Sequence, residues 1–181
     1  IGTANITIAG AGADKTTIVP VMNASADYGA IVVQGASGAS LTVKDIAFVG
    51  NGQDGGRGIV ISGQQASLAM LTVENCAFDN FTTGIYLGGV AGYDNGADSA
   101  AITNCTFANC GAGIGGSEGI TGTLKVEDGS FTGCGETIGW AGAGTLHIVG
   151  LNGISFNDYH TGAAVSVTVD SDNFKQTGAG N

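Results

Sequence analysis

One phrase recurs along this chain: LTVKDIAFVGNG from Leu41, LTVENCAFDNF from Leu71, AITNCTFANC from Ala101, LKVEDGSFTGC from Leu124 and, in degenerate form, VTVDSDNFKQ from Val167. A chain that repeats one hydrophobic pattern builds the same small unit many times. A unit of this size buries too little by itself, so its apolar face must be shared with the copies on either side. Phe48, Phe78, Phe107, Phe131, Phe156 and Phe174 mark the copies at separations of 30, 29, 24, 25 and 18 residues, an irregular period.

Within each copy the apolar residues alternate. Val43, Val73, Ile102, Val126 and Val169 stand five residues before the phenylalanine. Ile85, Ile114, Ile138 and Ala163 stand seven after it, with Ile59 matching once a four-residue insertion is allowed. Two residues further on come Ile61, Leu87, Gly116, Trp140 and Val165. Period-two alternation of β-branched residues, bounded by Gly, Asn or Asp, predicts short strands with one buried face, and no helical period competes with it. The 34 glycines and single proline fit many turns. Stacked copies sharing one core predict an all-β parallel β-helix, a solenoid of about six to seven irregular coils, spaced about 4.8 Å apart. The whole of 1–181 is expected to form this one domain.

The polar positions of the repeat are ordered too. Asp45, Asn75, Asn104 and Asp128 stand three residues before the phenylalanine, with Asn152 offset by one, so stacking would place them above one another as a structural ladder. Asn side chains in such a row hydrogen-bond between neighbouring turns. Asp45 and Asp128 are expected where the row meets water, since an isolated buried carboxylate is costly. Phe48, Phe78, Phe107, Phe131 and Phe156 form the expected core stack.

Cys76 and Cys105 fall at one point of successive repeats, Cys110 and Cys134 at another, and the equivalents of the second pair are Phe81 and Tyr159. Apolar equivalents predict core positions. Buried free thiols and disulfides between stacked copies are both compatible with this spacing. A zinc site lacks its usual pattern, since there is no CxxC and the only histidines are His147 and His160.

Other motifs carry less. GAGADK follows a strand but is not completed by GK[ST] or a helix, so nucleotide binding is not expected. The sequons at Asn5, Asn23, Asn80 and Asn104 are of a kind that a chain rich in Asn and Thr produces by chance. Ice binding would need aligned threonine rows, and Thr42 and Thr72 are followed by Ala101 and Lys125. A net charge of −10 disfavours nucleic acid and anionic membranes. No stretch approaches the roughly 18 to 20 apolar residues of a membrane helix, so no membrane insertion by this segment is expected.

Two insertions interrupt the repeat, GNGQDGGRG and GGVAGYDNGADS, and loops leaving a rigid scaffold commonly carry recognition. Their candidate binding residues are Asp54, Arg57, Tyr93, Asp94, Asn95 and Asp98. Asp94, Asn95 and Asp98 surround a turn glycine and would offer oxygen ligands to calcium, without the full EF-hand pattern; no other cofactor is expected. Tyr93 and Trp140 are candidate sugar-stacking platforms, although Trp140 occupies a core-equivalent position.

The opening ANITIAGAGADKTTIVP resembles the first coils of pectin-lyase-like right-handed β-helices, and LTVENCAFDNFTTGIYL resembles their interior coils with an asparagine ladder. The resemblance covers nearly the whole chain. It implies the right-handed fold and leaves function open, because lyases, glycosidases, tailspikes, autotransporters and surface adhesins share it. Pectate lyases of the family use an arginine base beside aspartate-held calcium, and here the sole arginine is Arg57, in a glycine-rich insertion. The glycosidase motifs, a paired DD and a GHG, are missing.

The expectation is therefore a non-catalytic structural or adhesive β-helix of a bacterial cell-surface or extracellular protein. Its expected partner is a glycan or a host or cell-surface protein, and the alternative is a carbohydrate-active enzyme of the same fold, a polysaccharide lyase or glycoside hydrolase. The chain opens at Ile1 without methionine or a signal peptide, and neither end reads as an amphipathic cap. That leads to the expectation of a segment of a longer chain or of a unit that self-associates by end-to-end stacking.

Overall fold

A computed structural model describes residues 4–21, 29–34, 37–52, 56–61, 67–88, 96–116, 122–140, 145–151, 155–158, 166–170 and 175–178, with side chains to Leu151 except at positions 37, 67 and 140. The strands follow the repeat. They are β1 (Ile6–Ala9), β2 (Thr17–Ile18) and β3 (Gly29–Val33); β4 (Ser37–Lys44), β5 (Ala47–Val49) and β6 (Arg57–Ile61); and β7 (Ser67–Glu74), β8 (Ala77–Asp79) and β9 (Thr83–Tyr86). Next come β10 (Gly96–Ala97), β11 (Ser99–Ala108) and β12 (Ala112–Gly116), β13 (Thr123–Thr132) and β14 (Glu136–Trp140), β15 (Thr145–Val149) and β16 (Ser155–Asp158), and β17 (Ser166–Asp170) and β18 (Lys175–Gly178).

Among the described residues the protein is all-β, with two parallel sheets and no helix. The first sheet runs β1-β4-β7-β11-β13-β15-β17, with β2, β5 and β8 pairing beside this path and β10 against β7; the second runs β18-β16-β14-β12-β9-β6-β3. Parallel neighbours need a crossover between them. Here each repeat supplies that crossover by placing a strand in the second sheet before the chain returns to the first.

Register turns the sequence pattern into columns. In the first sheet Ile8, Val43, Val73, Ile102, Val126, Ile148 and Val169 are successive partners. In the second sheet the column is Ile31, Ile59, Ile85, Ile114, Ile138 and then Phe156. Val43, Ile59, Val73, Ile85, Ile114, Ile138 and Ile148 are wholly buried in one hydrophobic core, and each such side chain contributes about 1.5–3 kcal/mol by leaving water.

Phe48, Phe78, Phe107 and Phe131 stack ring on ring, with centroids 5.0, 5.2 and 4.8 Å apart and planes within 10° of parallel. Their bulk is matched across the core by glycine. A Cβ placed on Gly58, Gly84 or Gly113 would come within 2.6, 2.7 and 2.4 Å of the rings of Phe78, Phe107 and Phe131, so a side chain there has no room.

The phenylalanine stack stops at Phe131, which is only partly buried, and two sequence expectations fail beyond it. Phe156 stands in register with Ile138 in the second sheet rather than above Phe131 in the first, and it takes the column position expected for Ala163. The reason is length. Twelve residues separate Val73 from Ile85, Ile102 from Ile114 and Val126 from Ile138, whereas eight separate Ile148 from Phe156, so the sixth repeat crosses between the sheets by a shorter route. Ile148, absent from the sequence-derived column, is its true first-sheet member. Phe174, Ala163 and Val165 lie outside the described residues.

Candidate functional site

The backbone turns that join the strands are built by Asn and Asp. Every described non-glycine residue with positive φ is one of these two: Asp45 (61°), Asn75 (51°), Asn80 (62°), Asn104 (51°), Asn109 (53°) and Asp128 (45°). Left-handed backbone disfavours residues with a Cβ, and short Asx side chains tolerate it because they hydrogen-bond locally.

The six fall into two columns. Asp45, Asn75, Asn104 and Asp128 form the row expected from sequence: Asn75 Nδ2 donates to Asp45 Oδ1 at 3.0 Å and Asn104 Nδ2 donates to Asn75 Oδ1 at 2.9 Å. The row lies at the surface, with Asn75, Asn104 and Asp128 exposed and Asp45 half-buried. Gly150 (φ 69°), whose Cβ would meet Asp128 Oδ1 at 2.4 Å, follows Asp128 in the row; Asn152, expected there, lies outside the described residues. The second column was not legible as such in the sequence. Asn80, Asn109 and Gly133 (φ 65°) sit two residues after their phenylalanines, and Asn109 Nδ2 donates to Asp79 Oδ1 at 2.8 Å. The signal was present in the constant offset from Phe78, Phe107 and Phe131, but Asn80 reads in isolation as a sequon.

Asn75→Ala removes both ladder bonds and leaves alanine in left-handed backbone, so it is expected to cost about 1–3 kcal/mol in chemical denaturation. Asn75→Gly, which adopts that backbone freely, should cost less. Loss of ligand binding with unchanged stability would replace the structural role by a recognition role.

The four cysteines are free thiols, Cys105 within β11 and the others in the links between strands. Cys76, Cys105 and Cys110 are buried, and Cys134 is half-buried. Each sulfur leans on the carbonyls of its own and the preceding repeat: Cys105 Sγ donates to Thr103 O at 3.4 Å and Val73 O at 3.6 Å, and Cys110 Sγ to Ala108 O at 3.3 Å. The hydrogen bond with Cys76, together with burial, holds the Cys105 thiol well above its ordinary range. Burial pushes the Cys110 thiol up to about 11. Both are therefore poor nucleophiles at neutral pH.

Of the loop residues expected to bind, Asp54, Tyr93, Asp94 and Asn95 lie outside the described residues, as does the side chain of Trp140. Asp98 is exposed in the link between β10 and β11, where its N–H donates to Leu68 O at 2.7 Å and its carbonyl accepts from Thr123 N–H at 3.2 Å. Arg57 is not on a loop: it opens β6, half-buried, with its guanidinium carbon 3.8 Å from the centroid of the Tyr86 ring on β9. A cation over a tyrosine face contributes about 0.5–1 kcal/mol at exposed sites. Tyr86 was missed in the sequence because it lies between Ile85 and Leu87, both core residues, and only the strand alternation assigns it to the other face.

The outer face of the first sheet presents rows in register. One contains Thr7, Thr42, Thr72, Ala101, Lys125 and His147, so its threonine run ends at Ala101. A neighbouring row holds Ser99, Thr123 and Thr145. Lys125 Nζ lies 2.7 Å from Glu127 Oε2 on the same strand. Among the described residues, no group of three or more His, Cys, Asp or Glu side chains is placed to share a metal ion, and no helix is long and apolar enough to cross a membrane.

Taken together, the described residues define an all-β protein of two parallel sheets. No family model, no curated protein and no solved structure matches the chain.

Proposed function

We propose that the protein is a right-handed parallel β-helix of the pectin-lyase-like type, acting as a non-catalytic structural or adhesive element of a bacterial cell-surface or extracellular protein. The observation that carries this reading is the register of like side chains across the central repeats, Ile on Ile, Phe on Phe and Asn on Asn. That register makes a rigid scaffold whose outer face carries short runs of hydroxyls, Thr7, Thr42 and Thr72 in one row and Ser99, Thr123 and Thr145 in another, at intervals of one repeat. Such a surface suits multivalent contact with an extended partner, a glycan or a cell-surface protein, in which many weak contacts add.

Further support comes from the crossing of every repeat between the two sheets, the connectivity a β-helix requires. Strands β1 and β3 stand at one end of the two sheets and β17 and β18 at the other. Strand edges of this kind pair with further strands, so end-to-end association belongs to the same proposal. It is checked by light scattering over a concentration series: growth into filaments supports it, and a monodisperse monomer at all concentrations removes it.

The functional test is incubation with plant, host and bacterial glycans, with and without EDTA. Retention of a glycan without new chain ends is the expected result, and loss of retention in EDTA would assign the contact to bound calcium near Asp94, Asn95 and Asp98. New reducing or unsaturated ends would replace this reading by a carbohydrate-active enzyme of the same fold.

A further inference from the structure

The two cysteine pairs have the same geometry and different access to solvent. In the first, Cys76 and Cys105 are each 2% exposed. In the second, Cys110 is 2% exposed and Cys134 is partly open. Cys134 lies three residues beyond Phe131, the last ring of the stack and itself only partly buried.

We propose that Cys110 and Cys134 are a disulfide-forming pair that ties two neighbouring repeats together under oxidising conditions, whereas Cys76 and Cys105 stay reduced as long as the protein is folded. The register Ala108 to Thr132, followed by Gly135 N–H donating to Cys110 O at 3.0 Å, sets Cys110 and Cys134 side by side in adjacent strands' turns. Parallel neighbours lie about 4.8 Å apart, inside the roughly 4.4–6.8 Å Cα separation that a disulfide spans. The Cys134 sulfur already leans back to Phe107 O at 3.6 Å, in the strand that leads to Cys110.

The oxidant is a small-molecule disulfide such as oxidised glutathione. The thiolate of Cys134, the accessible member, attacks one glutathione sulfur, forming a Cys134–glutathione disulfide and releasing one glutathione thiolate. Cys110 then gives its proton to water and attacks the Cys134 sulfur; the Cys134–glutathione bond breaks and the second glutathione leaves. Two protein thiols are oxidised and one glutathione disulfide is reduced to two thiols. Because burial holds the Cys110 thiol up at about 11, the second step is slow at neutral pH and quickens as pH rises toward that value.

The test uses the reduced, folded protein incubated with oxidised glutathione, then denatured, alkylated and mapped by mass spectrometry after proteolysis. Two of the 4 cysteines should escape alkylation, joined as Cys110–Cys134. Dithiothreitol should restore them. In Cys110→Ser the glutathione adduct should persist on Cys134, and in Cys134→Ser no cysteine should be modified. Four alkylated cysteines, a Cys76–Cys105 bond, or an adduct that never resolves in the unaltered protein would each overturn the proposal. So would failure of Cys110→Ser to retain the adduct.

Discussion

Phe107→Ala is expected to destabilise the protein by about 3–5 kcal/mol, the range for removing a buried phenylalanine from a core that relaxes only partly. Phe107 is 1% exposed and sits between two parallel rings, Phe78 at 5.2 Å and Phe131 at 4.8 Å. Its removal leaves a gap and breaks two ring contacts, each worth about 0.5–1.5 kcal/mol beyond burial. The main chain cannot collapse into the gap, because Thr106 and Ala108 on either side are held in register by strands both before and after them. Phe131→Ala, at the half-covered end with one ring neighbour, should cost less than Phe107→Ala. Urea denaturation of both variants checks the order, and a loss under about 1 kcal/mol at Phe107 would mean that the stack does not exist in solution.

The second large effect lies on the opposite wall of the core. Gly84→Ala should destabilise by about 1–3 kcal/mol, as overpacking does. The added Cβ would fall 2.7 Å from Phe107 Cδ1 and 2.7 Å from the carbonyl oxygen of Gly113. The carbonyl belongs to the paired backbone of the next strand and has little freedom to withdraw. Gly84 is not among the positive-φ glycines, so the penalty is one of space and not of backbone conformation. Where space is free, Gly→Ala stabilises by about 0.4–1 kcal/mol through the unfolded chain, so even the sign of the change tests the packing. Trimming the facing ring gives an independent check: in the double variant with Phe107→Leu, part of the Gly84→Ala penalty should disappear, and strict additivity would show that the two residues do not touch.

Much of the fold is readable from local pattern, because a strand's inward and outward faces alternate at every residue and the alternation is written directly in VxVxxxxF-like phrases. Val43, Val73, Ile102 and Val126 could be aligned without coordinates, as could Asp45, Asn75, Asn104 and Asp128. The residues that were missed or moved share another property. Tyr86, Asn109, Ile148 and Phe156 are ordinary members of their local sequence, and what distinguishes them is the strand they are brought against.

The sequence by itself therefore determined the strands, their buried faces, the turns that require Asn, Asp or Gly, and the parallel stacking of one repeat on another, since each of these depends on residues a few positions apart. The tertiary structure alone decided the rest. It set Phe156 beside Ile138 instead of Phe131, fitted Gly84 to the ring of Phe107, laid Arg57 over Tyr86 and left Cys134 half-buried while sealing Cys105. For Phe156 the physical reason is how many residues the chain spends crossing between the sheets, eight where earlier repeats spend twelve. That number changes register by whole columns without changing the alternation within any strand.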